Sequence, residues 1–229
     1  MRRAWEIREM FDTIAARYDR ANRWLSLGLD LRWRRLMACS LPLDADATIL
    51  DVCTGSGDSL LSFWQSLGLR VGLDFSRRML TLARRKARRR GAAPVWVEAD
   101  ALHLPFRAGV FDAVTIAFGL RNLVDPLAGL WEFFRVLRPG GWLAVLEFTL
   151  PRWQPWRWAF GFYLNRLLPV LGGWLTGHRA PYEYLRQSIQ AFPHYEALQA
   201  WIAQAGFQPM ALRPLTGGVA TLYLARKPV

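Results

Sequence analysis

The sequence predicts an α/β protein built on a doubly wound, Rossmann-like sheet of seven strands, mostly parallel, with an antiparallel hairpin closing its C-terminal edge. Three observations carry that expectation. An apolar strand, Ile49-Leu50-Asp51-Val52, runs into Cys53-Thr54-Gly55-Ser56-Gly57-Asp58, which holds two glycines one residue apart. From Thr48 onward, short apolar runs alternate with helical ones, as a parallel sheet requires. The chain then ends in two strand-like runs around Thr216-Gly217-Gly218.

Each element has its own signal. Residues 5–40 read as two or three helices, because Phe11, Ile14, Ala15 and Tyr18, then Trp24, Leu25 and Leu27, recur at helical spacing. A helix over 58–67 is expected after the glycines. Further strands are expected at 69–75, 94–99, 111–118 and 141–150. A helix over 126–137 precedes the fifth strand and is stopped by Pro139-Gly140-Gly141. Residues 151–179 break the alternation. Helix resumes over 182–205, and strands follow at 207–215 and 219–226. At 229 residues the chain suits one well-buried domain and is short for two. We divide it into N-terminal helices (1–45), a core (46–150), a helical insertion (151–181), and a C-terminal helix with hairpin (182–229).

Composition narrows the function. Hydrophobic content of 52% and aromatic content of 14% exclude a disordered chain. Cys39 and Cys53 match no disulfide or metal pattern, and His103, His178 and His194 are scattered, so no metal site is expected. The N-terminus, with Arg2, Arg3 and Glu6, lacks the apolar stretch of a signal peptide, so a cytoplasmic location is expected. The net charge of +12 attracts nucleic acid or an anionic membrane surface. Its densest run, Arg84 to Arg90 before Gly91, reads as a solvated helix end, where cations oppose the helix dipole.

The glycine turn is where such sheets bind nucleotide-type cofactors. Gly55 and Gly57 lack the Cβ atoms that would hold a ligand off the main chain. The dinucleotide fingerprint needs a third glycine where Leu60 stands, and Asp51 would repel a pyrophosphate. A cationic, phosphate-free cofactor fits both facts: S-adenosylmethionine (SAM). Asp74, followed by Phe75, ends the second strand and is placed to accept ribose hydroxyls. Asp100 follows the third strand, where an adenine amino group would be bonded. The competing reading makes each aspartate a helix cap or turn former and the glycines an ordinary turn.

Seven segments resemble the menaquinone and ubiquinone biosynthesis C-methyltransferases: MFDTIAARYDRANRWLSLGLDLRWRR, ILDVCTGSGDSL, GLDFSRRML, EADALHLPFRAGVFDAVTIAFGLRN, RVLRPGGWLAVLEFTLP, YEYLRQSIQAFP and LTGGVATLYLARKP. They are spread from residue 10 to residue 228. AFGLRN, YEYLRQSI and LTGGV are much narrower signals than the SAM motifs. The resemblance implies a class I SAM-dependent methyltransferase that methylates a ring carbon of a prenylated quinol, usually demethylmenaquinol, and leaves S-adenosylhomocysteine. It assigns the cofactor to Ser56 in the glycine loop (flanked by Thr54, Gly55 and Gly57), to Asp74, and to the Asp100-Ala101 pair. Family members often carry threonine at Ser56, and some carry serine at Ala117, which weakens a side-chain contact there.

Methylating an aromatic carbon requires loss of a ring hydroxyl proton, alignment of that carbon with the methyl, and stabilisation of the developing phenolate. Arg121 suits the last role and is unsuited to being a simple base, since it is permanently charged. Asn122 is expected to hold a water or a substrate hydroxyl, and Tyr18 to line the pocket. Alternatively Arg121 pairs with a carboxylate such as Glu147 or Asp125, and Tyr18 is core.

The insertion carries Trp153, Trp156, Trp158 and Trp174 between arginines, and Arg157, Arg166, Pro169 and Gly172-Gly173 interrupt its apolar stretches. A spanning helix is not expected. We expect a cover over the quinol site that touches the inner face of the membrane peripherally. The alternative is a subdomain packed on the sheet or on a second subunit of a homodimer. Two rivals complete the reading: a methyltransferase acting on RNA or on another small aromatic, and a non-enzymatic membrane-associated protein. Against RNA stand the absence of an Asn/Asp-Pro-Pro-aromatic motif after strand four and the dispersed charge.

Overall fold

The computed structural model describes residues 4–63 and 66–229, without the side chains of residues 4, 11 and 16; the position expected at Phe11 thus lies outside it. Two helices open the chain, α1 (Ala4–Leu25) and α2 (Leu29–Ser40). The alternating core follows: β1 (Ile49–Val52), β2 (Arg70–Asp74), α3 (Arg77–Arg89), β3 (Val95–Glu98), β4 (Phe111–Ala117), α4 (Pro126–Val136) and β5 (Leu137–Phe148). Four more helices come next, α5 (Gln154–Phe162), α6 (Leu168–Thr176), α7 (Ala180–Ala191) and α8 (Glu196–Gln204). The hairpin of β6 (Gln208–Leu215) and β7 (Ala220–Arg226) ends the fold.

All seven strands form one sheet in the order β3-β2-β1-β4-β5-β7-β6. β1 to β5 are parallel, and β7 runs antiparallel to both of its neighbours. The central strands are mostly apolar because both faces are covered, with Asp51, Thr115 and Glu147 as buried exceptions. On one face Leu50, Val52, Ile116 and Val145 pack with Phe133 of α4 and Leu198 of α8. On the other, Ile49, Ala113, Ala144 and Leu146 pack with Trp33 and Met37 of α2, Leu164 and Tyr182. Each strand contributes to the two clusters alternately, the two-residue period of a pleated strand.

Four local expectations need correction. The helix expected over 58–67 is only a 3₁₀ turn at Leu60–Ser62 among its described residues. Its polar groups are spent elsewhere: Ser62 Oγ donates back to Asp58 O, and Ser59 Oγ accepts from Arg34. Pro139-Gly140-Gly141 does not stop α4, which ends at Val136; it forms a bulge inside β5, with Gly140 at φ +74°. Trp24 and Leu27 leave the expected apolar stripe and face outward, 67% and 85% exposed. The insertion is less broken than expected, because a π-helical stretch at Tyr163–Leu167 carries α5 into α6 and seats Pro169 in the first turn of α6.

Phe133 has no exposed surface and joins α4 to the core. Phe133→Ala should destabilise the fold by about 3–5 kcal/mol in urea denaturation; a loss under about 1 kcal/mol would show that the site can collapse around the void.

Candidate active site

The sheet reverses its winding between β1 and β4, so their C-terminal ends frame a crevice. Both strands leave it through strained corners. Cys53 has φ +52° and Phe118 φ +61°, values that residues with a Cβ rarely adopt. The corners press together: a Cβ on Gly119 would lie 2.5 Å from Cys53 Cβ. Two cavities meet here, a polar one over the glycine loop and an apolar one beneath the helices.

The polar cavity is lined by Thr54, Gly55, Ser56, Asp74, Phe75 and Ala117 among the expected cofactor residues. Asp74 Oδ2 accepts from Gly55 N at 2.7 Å and Oδ1 from Ser76 N at 2.8 Å, which fixes its carboxylate at the β2 end. Burial raises its pKa to about 6 against those two backbone bonds. A Cβ on Gly55, at φ +56°, would meet nothing within 4 Å, so the space above the loop is open to a ligand.

Gly57 behaves differently. Its added Cβ would lie 2.8 Å from the Trp96 ring and 3.1 Å from Ala83, and Gly57 does not line the cavity. It is needed for packing against α3 and β3, not for ligand approach. Asp51 also corrects the expectation: it is wholly buried, off the cavity wall, and accepts from Thr54 Oγ1 at 2.5 Å and Thr115 Oγ1 at 2.7 Å. Burial raises its pKa to about 6, opposed by those hydroxyls and by Arg34. It braces the loop and does not face a pyrophosphate. Asp100 and Ala101 do not line the cavity either; Asp100 Oδ1 accepts from Leu102 N at 2.9 Å, the turn-forming role named as its alternative.

The first helix closes the cleft from above. Ser56 Oγ donates to Asp19 Oδ1 at 2.5 Å, and Lys86 Nζ reaches Asp19 at 2.6 Å, Asp58 at 2.8 Å and Ser56 Oγ at 3.0 Å. Lys86 therefore points into the loop, unlike the solvated helix end read from its basic run. Arg23 joins Asp58 at 2.7 Å and also pairs with Asp30. Asp30, Asp58 and Asp74 all line the polar cavity; Arg23 and Lys86 pair with the first two, which leaves Asp74 as the carboxylate of the three with no ion pair among the described residues. Asp74 stands where ribose hydroxyls would be bonded. Bound there, SAM supplies an electrophilic methyl carbon.

The apolar cavity, of about 380 Å³, lies within the range that encloses small molecules. Leu25, Leu29, Trp33, Phe148, Phe160 and Leu164 form much of its wall. Arg121 also lines it, with its charge already compensated: Nη1 donates to Glu147 Oε1 and to Phe118 O, both at 2.6 Å, and Nε donates to Ser188 Oγ at 3.3 Å. The carboxylate pairing held open by the sequence is the one found, with Glu147; Asp125 caps α4 instead. Asn122 lines the polar cavity, donates to Phe118 O at 3.4 Å and accepts from Tyr184 Oη at 3.2 Å.

Five residues line both cavities: Tyr18, Asn22, Asp30, Arg34 and Phe118. Tyr18 keeps its proton, since burial raises its pKa against Arg34, Asn22 and Arg121, so it acts as a donor. Asn22, Asp30 and Arg34 were not singled out, although all three stand in the first segment of the resemblance. A polar residue repeated along an N-terminal amphipathic helix pair was the available signal.

Sheet order, hairpin and a polar cleft at the strand switch define the fold of class I SAM-dependent methyltransferases. Solved structures share it: the cyclase SpnF (TM-score 0.77, 19% identity, covering 100% of this chain and 98% of that one) and a SAM-dependent methyltransferase, possible histamine N-methyltransferase, from Thermotoga maritima (0.65, 18%, 96% and 99%). The chain belongs to the ubiE/COQ5 methyltransferase family, whose model matches residues 2–227. It is 49% identical to the demethylmenaquinone methyltransferase of Thermus thermophilus over 222 residues, 96% of this chain and 100% of that one. It is 43% identical to the ubiquinone/menaquinone biosynthesis C-methyltransferase UbiE of Geobacter sulfurreducens, over 96% of this chain and 88% of that one.

Arg121 and Glu147 are both almost fully buried, so removing one strands the other. Arg121→Ala should destabilise the protein by about 3–5 kcal/mol, and adding Glu147→Gln should return part of that loss. Chemical denaturation of both single variants and the double variant checks this; losses that simply add in the double variant would mean that the pair is not coupled.

Proposed function

We propose that this protein transfers the methyl group of SAM to a ring carbon of a prenylated quinol, demethylmenaquinol above others, to give menaquinol and S-adenosylhomocysteine. The observation that carries the reading is the junction at which an acidic cofactor cleft opens directly onto an apolar cavity. The ring hydroxyl loses its proton to water, and the ortho carbon forms a bond to the methyl as the sulfur–methyl bond breaks. The proton on that carbon then leaves to water, which restores the aromatic ring, and the ring oxygen takes a proton back to give the quinol. The names of the relatives support a quinone substrate. Tyr18 and Asn22, bonded to each other at the junction, would orient the ring.

The prenyl tail would leave through the mouth of the apolar cavity. Leu27 lines that cavity and is 85% exposed, Trp24, Trp158 and Trp174 of α1 and the insertion are 67–82% exposed, and Tyr163 Oη ties the α1 end to the insertion by donating to Leu25 O at 2.8 Å. Tryptophans beside Arg157 and Arg166 suit a lipid interface, which supports a cytoplasmic enzyme resting on the inner membrane face. No helix among the described residues is long and apolar enough to cross a membrane.

Methyl-tritiated SAM, offered with demethylmenaquinol in detergent and separately with RNA, should label the quinol; label in RNA alone overturns the proposal. In flotation with anionic phospholipid vesicles, the protein should rise with the lipid. The triple variant Trp24→Ser, Trp158→Ser, Trp174→Ser should stay behind while still methylating a short-tailed quinol, and equal flotation would remove the membrane contact.

A further inference from the structure

We infer that Arg34 is the cation that binds the acceptor's ring oxygen as its negative charge develops. This rests on the quinol reading above and gives the phenolate role to a residue other than Arg121.

Arg34 projects from α2 into the junction, where it lines both cavities although only 8% of its surface is exposed. Its Cζ lies 5.1 Å from the centre of the Phe118 ring, and one terminal nitrogen donates to Ser59 Oγ. Its Nε is buried with no partner. A buried guanidinium donor left unmade is rare in a native fold, which signals a ligand that completes it.

The charge is only partly used: from a distance it favours the ionised forms of Asp51 and Asp58. Among the described residues Arg34 forms no ion pair, although carboxylates surround it. Asp30 on its own helix is taken by Arg23. Asp58, after β1, holds Arg23 and Lys86, and Asp51 within β1 is bonded by two threonines. Tyr18 of α1 is neutral, and Arg121 beyond β4 belongs to Glu147. Among the described residues, Arg34 is thus the cation lining both cavities that forms no ion pair, and it faces the groups still to arrive. An acceptor ring in the apolar cavity, with its reacting carbon toward the cofactor, brings its hydroxyl to this spot. Once that proton leaves for water, Arg34 supplies a forked, charge-assisted contact to the oxygen.

The test uses the full-length protein with SAM and a short-tailed demethylated naphthoquinol. Arg34→Gln should lower kcat by about 10²–10³-fold, the loss typical of one oxyanion donor. SAM affinity by calorimetry should stay within about threefold. The pH at which kcat rises should move alkaline by about 1–3 units, since an opposite charge no longer favours the ionised ring. Arg34→Lys should recover part of the rate, and Arg34→Met keeps the apolar stem over Phe118 if the glutamine variant folds poorly. An unchanged kcat and pH profile in both neutral variants overturns the inference. So does weakened SAM binding with turnover intact at saturation, which would assign Arg34 to the cofactor's carboxylate. Failure of the unmodified protein to methylate any quinol would instead defeat the quinol reading itself.

Discussion

The structure depends on the contact between two strained corners. Cys53 ends β1 and Phe118 ends β4, both in the left-handed region, and Gly119 fits between them only because it lacks a Cβ. A relaxed backbone at either place would turn its loop along the sheet instead of over the crevice. With the corners locked, the β1 loop forms a floor for the cofactor, and Phe118 becomes a wall shared by both cavities. Strain of this kind persists only where packing over-determines it. Phe148 and Trp33, with ring centres 4.4 Å and 6.0 Å from that of Phe118, supply the packing.

Polar groups then decide which ends of the crevice are available. Acids crowd the cleft, yet almost every one is matched within the protein: Asp51 by threonines, Asp58 by Lys86 and Arg23, Glu147 by Arg121. This economy keeps buried charge tolerable in a site largely screened from water. The fold itself does not fix the chemistry, since a cyclase shares it at a TM-score of 0.77. The substrate class follows from the walls that this chain's helices build.

Much of the fold was legible in the sequence because the sheet is buried on both faces, which leaves predominantly apolar strands, and because Gly-rich turns mark their ends. The helix expected over 58–67 was misread for a physical reason: Ser59 serves Arg34 of α2 and Ser62 bonds back to the Asp58 carbonyl, and periodicity carries no trace of either. Likewise Gly55 and Gly57 look alike in a motif, and only the Trp96 ring distinguishes a packing glycine from one that clears space. The narrow motifs proved to be parts of one wall. Ser188 of YEYLRQSI accepts from Arg121 of AFGLRN, and Tyr184 donates to Asn122. Arg34 escaped notice because a basic helix residue gives no sign, in one dimension, that its neighbours' charges are already matched.

The Thr216 turn closes the apolar cavity from the far end of the chain. Its hydroxyl accepts from Trp33 Nε1 at 2.9 Å, its carbonyl accepts from Trp156 Nε1 at 3.1 Å, and Gly217 has no room for a Cβ beside Trp156. The first of these contacts joins residues 183 positions apart. During synthesis the glycine loop and its strands emerge early, while Trp33 and Trp156 gain their hydrogen-bond acceptors only when the closing hairpin leaves the ribosome. The polar and apolar cavities are thus completed at different times, and the apolar walls of the second are closed last.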